Sequence, residues 1–419
     1  MSKNLFSIFV WSLALLFYFY EFFLQIFLGT IATDVISSLG LTIEQFSILG
    51  AAFYLTYSLM QTPVGILTDK FGPRKILTLA SFSCTFGVFW FSVSNGFLSA
   101  IMSRLLIGFG SSFGFVAILI LALNWFDRKH FSTLCGMAQF LGAIGPILAG
   151  APLAMLNHNL DGNWRLILFW IGVFGTCLTV IIFLFLRDKP KGKKNAIFFL
   201  TPHVSLKKNI TELLKSSQVW AIMLYCATVY VAMPLLGAYW GVTYLQTRGF
   251  EKTKAAFIIS MIWIGFSISA ATMGKLSEKM KKRKPLLILS GLFGVIFSSL
   301  ILYLPIENEL LLISLFGCLG FCAAVQSLGF AMISEHVPKR LHSPALGLNN
   351  TAIVFFAAII PPFASSIIQS TSDELTSASF TRGLSIIPVM FGLSFLIALF
   401  GIKETYCHQQ GEMHKIILS

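Results

Sequence analysis

Two ionisable residues sit deep in long apolar runs, where a charge is hard to keep. Glu21 lies in the run 6–31 and Arg104 in the run 97–125. An isolated charge at the middle of a bilayer costs at least ~2.5–3.5 kcal/mol, so such groups are paired or line a wet cavity. A buried carboxyl can take up and release a proton, and a nearby guanidinium favours its charged form. A guanidinium can also hold a carboxylate or phosphate with two parallel bonds. Tyr18, Glu21 and Gln25 recur at spacings of three and four, which puts them on one face of a helix. Tyr230, Tyr239, Gln326 and Asn350 add hydrogen-bonding groups to later apolar runs. These eight residues form the candidate set for binding a solute and a proton. A static buried Glu–Arg pair that fixes helix packing is the plainer reading of the two charges.

A second group lies between apolar runs. The stretch from Gly65 to Lys75 carries Asp69, Lys70, Arg74 and Lys75, and its pattern returns from Gly274 to Lys284 with Glu278, Lys279, Arg283 and Lys284. The two copies stand about half of the 419-residue chain apart, the mark of an internal duplication. Asp69 falls at the end of one span, and the start of a helix near Ser343 offers unpaired N–H groups and a partial positive charge. Asp69 is therefore expected to latch the first half of the chain to the second, with Arg74 and Asp127 completing a charge network. Glu278 is expected to do the mirror job at the start of the fifth helix, near Ser132. The candidate gating residues are Gly65, Asp69, Arg74, Asp127, Gly274, Glu278 and Arg283, and a solvated turn rich in topology-setting cations is the alternative.

The elements that must position these residues follow from composition. The chain is 56% hydrophobic and 11% charged, against about 25% charged in ordinary globular domains. It is expected to be an all-α polytopic membrane protein. Twelve runs reach the ~20 apolar residues a membrane helix needs: 6–31, 43–67, 75–95, 97–125, 131–156, 164–186, 218–246, 255–276, 285–305, 309–333, 344–370 and 383–402. They divide into a six-helix bundle over 1–186, a basic linker over 187–217, a second six-helix bundle over 218–402, and a polar tail over 403–419 expected to be mobile. Most of the 30 Lys and Arg fall in alternate loops. That bias places the N- and C-termini in the cytoplasm and accounts for the net charge of +13 without a nucleic-acid partner. The first run is read as a retained helix rather than a cleaved signal.

The seven histidines fall outside the apolar runs, and six of the seven cysteines fall within them. A histidine-ligated metal or haem site lacks its usual ligands, so no metal or cofactor is expected. No nucleotide-binding loop of the Gly-x-x-x-x-Gly-Lys-Ser/Thr type is present. Pro146, Met233–Pro234 and Pro361–Pro362 are expected to interrupt their helices, and Ser343 to cap the eleventh, with Pro344 first inside it.

With the repeated Gly65–Lys75 and Gly274–Lys284 motifs, the chain resembles the major facilitator superfamily over nearly its whole length. Arg104–Leu105–Leu106–Ile107–Gly108–Phe109–Gly110 matches a second family pattern. Gly145–Pro146–Ile147–Leu148–Ala149–Gly150 partly matches a third, found in proton-coupled exporters, with Ala149 where that pattern has glycine. Tyr20–Glu21–Phe22–Phe23–Leu24–Gln25, Trp164–Arg165 and Arg187–Asp188–Lys189–Pro190 look similar to uptake branches for organic anions, phosphorylated sugars or small peptides. The resemblance implies two pseudo-symmetric six-helix bundles that rock about a midplane site, with the first and fourth helices lining the cavity. Glu21 and Arg104 are accordingly expected to meet, directly or through water or solute. It also implies the inner-gate role for the repeated motif. The expected activity is alternating-access symport of a small polar or anionic organic solute with protons, by a monomer in the lipid bilayer of an inner (plasma) membrane. Three rivals stand beside it: a proton-antiport exporter of amphipathic compounds, to which the 42 phenylalanines lend some support, a membrane enzyme, and a sensor built on a transporter fold.

Overall fold

A chain this apolar must satisfy its backbone polar groups within each span, and in lipid the helix does so. The computed structural model describes residues 3–126, 131–190, 206–370 and 376–407. Among the described residues eleven helices are long and apolar enough to cross a membrane, twelve when the bent pair Ala32–Leu39 with Ile43–Gln61 is counted as one span. We label the spans α1 (Lys3–Thr30), α2 (Ile43–Phe71), α3 (Pro73–Ser92), α4 (Phe97–Trp125), α5 (131–159), α6 (Trp164–Phe185), α7 (Ser217–Thr247), α8 (Lys252–Met280), α9 (Lys284–Tyr303), α10 (Glu309–His336), α11 (His342–Gln369) and α12 (Ser377–Gly401). Polar residues at loop ends start many of them. Thr42 and Gln45 form a reciprocal cap on α2, and the side chains of Asn163, Ser216 and Asn308 accept from the first turns of α6, α7 and α10.

The chain forms two compact units. The first contains α1–α6 together with Ala238–Phe257, the second half of α7 and the first residues of α8. The second contains the rest of α7 and α8 with α9–α12. Chain position alone assigns all of 218–402 to one bundle.

Inside each unit the same pairs of helices touch. In the first, α1 packs on α5, α2 on α4, and α3 on both α4 and α6. In the second, α7 packs on α11, and α9 on both α10 and α12. The α8–α10 contact completes the correspondence. A Cβ on Gly265 would lie 1.9 Å from the Gly317 carbonyl oxygen, and one on Gly320 equally close to that of Ile262. Small residues let backbones meet where lipid supplies no hydrophobic drive for association. The duplication read from the loops is thus also a duplication of contacts.

Five described spans depart from regular helix, one of them α12, which is interrupted at Ser385 and ends in a π-helical turn over Ile397–Gly401. α4 is broken at Ser112–Phe113 and α10 at Val325–Gln326. α7 widens into a π-helix over Met233–Trp240 around Pro234, whose ring has no N–H to donate. α5 is likewise assembled from three pieces, with Pro146 in the middle one. α11, by contrast, runs unbroken through Pro361 and Pro362, and begins at His342 with no side-chain cap. Ser343 and Pro344 therefore lie within its first turn rather than flanking its start.

The described parts of the linker and tail make specific contacts. Leu206–Leu213 is a short helix that packs on α11, with Leu213 buried and Glu212 paired to Arg340. Glu404 and Thr405 of the tail are tied into the second unit by hydrogen bonds, described below. Replacing Gly265 with valine should cost about 1–3 kcal/mol through forced overpacking against Gly317. A lowered melting temperature of the detergent-purified protein, with Gly274→Val nearly neutral because a Cβ there meets nothing within 4 Å, is the expected result.

Candidate functional site

The first unit holds a buried cluster drawn from α1, α2, α4, α5 and the second half of α7. Helical spacing sets Tyr18, Glu21 and Gln25 along one side of α1, as the sequence predicts, and each meets a different neighbour. The Tyr18 hydroxyl donates to Gln139 Oε1 at 3.2 Å, and its ring lies against Gly142 on α5. Glu21 is fully buried beside Gly114, immediately after the break in α4. Gln25 donates through Nε2 to the Tyr54 hydroxyl on α2 at 3.2 Å.

Arg104 is buried and does not bond to Glu21. Its Nη1 donates to the Leu24 carbonyl at 2.8 Å, Nε has no partner, and both Glu21 oxygens also lack one. The expected direct contact is thereby corrected, and the geometry explains why. Glu21 points toward Gly114, ten residues beyond Arg104, a rise of about 15 Å along α4. Arg104 reaches α1 one turn farther along, at Leu24. The two charges nevertheless belong to one cluster, because Tyr54 lies within electrostatic range of both.

The surroundings of Arg104 are aromatic. Its guanidinium carbon lies 4.9 Å from the ring centre of Phe53 and 5.4 Å from that of Phe27, close enough for cation–π attraction. The phenols of Tyr54 and Tyr239 are within electrostatic range, and their rings stack at 6.0 Å. The Tyr239 hydroxyl is buried with no partner. Arg104 Nε and the Tyr239 hydroxyl are thus two buried groups without a hydrogen-bond partner near one another, beside the phenol of Tyr54.

The other sequence candidates lie in the second unit. Tyr230 is half-buried, edge-on to Phe266 at 6.1 Å. Gln326 sits at the break in α10, and its carbonyl accepts from the Gly329 N–H at 2.9 Å and from the Cys226 thiol at 3.4 Å. Its side-chain oxygen has no partner. Asn350 is half-buried on α11, next to the fully buried Asn349.

The repeated motif is a structural clamp in both units. Gly72 turns the chain with a φ of 83° between α2 and α3. Asp188, just after α6, accepts from the Arg74 backbone N–H at 2.7 Å, and the Arg74 side chain donates to the Phe183 carbonyl. In the second copy Glu404, just after α12, accepts from the backbone N–H groups of Arg283 and Lys284. The buried Arg283 side chain binds Glu335 at the end of α10, with Nη2–Oε1 at 2.7 Å, and Ser277. Burial works to lower the Arg283 pKa, but the bond to Glu335 and that residue's charge outweigh it, so the guanidinium is held above its usual value. Glu278 is exposed, and a Cβ on Gly65 or Gly274 would meet nothing within 4 Å. Asp127 and the side chains of Asp69, Ser132 and Ser343 lie outside the described residues.

Asp188, Glu335, Glu404 and Tyr54 were not among the sequence candidates. Two of them carry a readable signal: Asp188 and Glu404 each follow a cation directly after the last span of a bundle, as Arg187–Asp188 and Lys403–Glu404. Tyr54 carries none beyond being a polar ring within an apolar run.

Glu335→Ala should leave the buried guanidinium of Arg283 short of its carboxylate, a change worth about 3–5 kcal/mol. Thermal melts of Glu335→Ala, Arg283→Ala and the double variant should show much less than additive loss.

The family model of the Major Facilitator Superfamily matches residues 10–362. Among curated relatives, the uncharacterized transporter YybO of Bacillus subtilis is 22% identical, with 91% of each chain covered. The probable nitrate/nitrite antiporter NarK1 of Thermus thermophilus is 25% identical over 74% of this chain and 73% of its own. The probable galactarate/D-glucarate transporter GarP of Escherichia coli is 23% identical over 88% and 90%. Among solved structures, a bacterial homolog of the human lysosomal transporter Spinster, inward-facing and unoccupied, superposes with a TM-score of 0.73 at 14% identity, covering 96% of both chains. The nucleoside transporter NupG in its D323A form gives 0.75 at 14% identity, covering 93% and 98%.

Proposed function

Because the chain belongs to the major facilitator superfamily, a family of transporters rather than enzymes, we propose that it carries a small organic or inorganic anion across the membrane by alternating access. The observation that carries this reading is Arg104: buried, sandwiched by Phe27 and Phe53, with Nε unpartnered and no carboxylate bonded to it. A guanidinium in that setting calls for an anion, and its planar fork suits a carboxylate or an oxyanion of similar shape. Tyr54, Tyr239 and Gln25 supply the neutral hydrogen bonds around it. Relatives named for nitrate/nitrite and for D-glucarate transport are in keeping with an anionic solute.

Glu21 is the proposed proton carrier. Its two oxygens have no bond to break when a proton arrives, and it sits on the same helix as the Leu24 carbonyl that orients Arg104. Proton symport is the proposed direction, with H+ as the coupling ion. A charge moving through 100 mV supplies about 2.3 kcal/mol, enough to concentrate a solute well over tenfold. The protein acts as a monomer in the inner (plasma) membrane, with both termini cytoplasmic and the repeated motif on that side.

A screen of purified protein against mono- and dicarboxylates, nitrate and phosphorylated sugars should find an anion that raises the melting temperature, and Arg104→Gln should abolish that rise. An undiminished rise in Arg104→Gln would overturn the anion site. In proteoliposomes with an imposed pH gradient, Glu21→Gln should still exchange the solute but lose its accumulation at least tenfold. Normal accumulation by Glu21→Gln would show that the proton travels elsewhere.

A further inference from the structure

The Tyr18 ring is wedged between two glycines, one of which it shares with Glu21. Side chains on a helix lean toward its N-terminus, so the Glu21 carboxyl reaches back over the turn of α1 that carries Tyr18. A Cβ on Gly114 of α4 would lie 3.2 Å from Glu21 Oε1 and 3.4 Å from Tyr18 Cδ2, which sets carboxyl and ring side by side over that glycine. At the opposite edge of the ring, a Cβ on Gly142 of α5 would lie 2.5 Å from Tyr18 Cε1. No side chain larger than hydrogen fits at Gly142 while the ring stays where it is. Phe22 meets the ring edge-on at 4.7 Å, and Phe115 lies 5.7 Å from it. The Tyr18 hydroxyl does not bond to Glu21, whose oxygens have no partner, but donates to Gln139 Oε1.

We propose that the Tyr18 ring is a lid on Glu21, that Gln139 and Gly142 are its positioning residues, and that lifting it lets the carboxyl exchange a proton with water. The inference deepens, and rests on, the reading of Glu21 as proton carrier. Glu21 and Tyr18 are buried, while Gln139 is exposed, so the bond between hydroxyl and amide is where water can compete. At 3.2 Å it is long for an O–H···O bond, and a water molecule can take the place of either partner. With the ring lifted, hydronium gives one proton to a Glu21 oxygen and leaves as water, and the acid returns the proton the same way. With the ring seated, neither form of the carboxyl meets solvent, so a proton taken up on one side is kept until the lid next opens. Tyr54 and Tyr57 on α2 and Cys84 on α3 lie within electrostatic range of Glu21, Arg104 on α4 is turned to the Leu24 carbonyl, and Gln139 and Gly142 on α5 carry no charge. None of these groups bonds to the carboxyl, which leaves access to water to decide when its proton exchanges.

The test reads how fast a water-borne reagent reaches Glu21. Full-length protein in proteoliposomes is treated with a water-soluble carbodiimide and glycine ethyl ester, and amidation of Glu21 is followed by peptide mass spectrometry against the exposed Glu307 of the same sample. In the parent protein Glu21 should label at least tenfold more slowly than Glu307. Gln139→Leu, which removes the acceptor from an exposed position, and Tyr18→Phe, which removes the donor but keeps the ring, should each raise the Glu21 rate at least fivefold. Gly142→Ala, which displaces the ring, should raise it as well. Gln139→Leu and Tyr18→Phe should melt at the parent's temperature, and a rise in labelling that comes only with a lowered melting temperature would overturn the proposal. Equal Glu21 rates in the parent and all three variants would also overturn it, as would parent Glu21 labelling as fast as Glu307. If labelling rises as stated while Glu21→Gln still concentrates the solute, the lid stands and the proton-carrier reading falls. If Glu21→Gln loses accumulation and the labelling rates do not move, the carrier stands and the lid falls.

Discussion

A guanidinium held in an apolar bundle without a bonded carboxylate constrains everything around it. Arg104 is stabilised by a carbonyl oxygen at 2.8 Å, two aromatic faces and two phenols within electrostatic range. None of these neutralises its charge. Each lowers the cost of keeping the charge buried. A tight Glu21–Arg104 ion pair would satisfy both groups and leave neither free for a solute or a proton. Their separation along α4, with Glu21 at the Gly114 break, keeps two unsatisfied groups in one cluster.

The backbone obeys a matching constraint. In lipid an unpaired carbonyl or N–H is tolerated only where protein or water can answer it. The described irregularities of α4, α7 and α10 fall at positions that carry candidate residues: Gly114 beside Glu21, the π-turn that carries Tyr239, and Gln326 whose carbonyl also meets Cys226. The regular stretches between them are held by glycine contacts that repeat from one unit to the other. Gly108 against Phe53 on α2 and Gly320 against Ile262 on α8 are counterparts.

The repeated loop shows how one sequence pattern is put to related uses. In both units a carboxylate just beyond the last span, Asp188 or Glu404, caps the start of the third helix of that unit. The arginine of the motif then finishes a different neighbour in each. Arg74 donates to a carbonyl at the end of α6, while Arg283 is buried against Glu335 at the end of α10. The clamp therefore ties the third helix of each unit to the sixth, and in the second unit to the fourth as well. That link gives each bundle rigid ends on the motif side.

Much of this molecule could be read from its residues in order. Apolar length alone implied the spans, because only a helix of about 20 residues both crosses a bilayer and satisfies its own backbone. The half-chain repeat implied two bundles, and the lone charges Glu21 and Arg104 marked one cluster, because an unpaired charge is too costly in an apolar run to be incidental. What no local rule could supply was the partner of each group. Whether Arg104 meets Glu21 or Leu24 depends on the offset between α1 and α4, and that offset is set by close contacts spread along the bundle. The same holds for Tyr54, unremarkable in sequence until α2 packs beside α1. It holds for Glu335 and Glu404, which reach Arg283 only once α9, α10 and the tail converge. Spacing along a helix is a property of the chain, but which faces meet, and at what depth, is decided by packing between segments far apart in sequence.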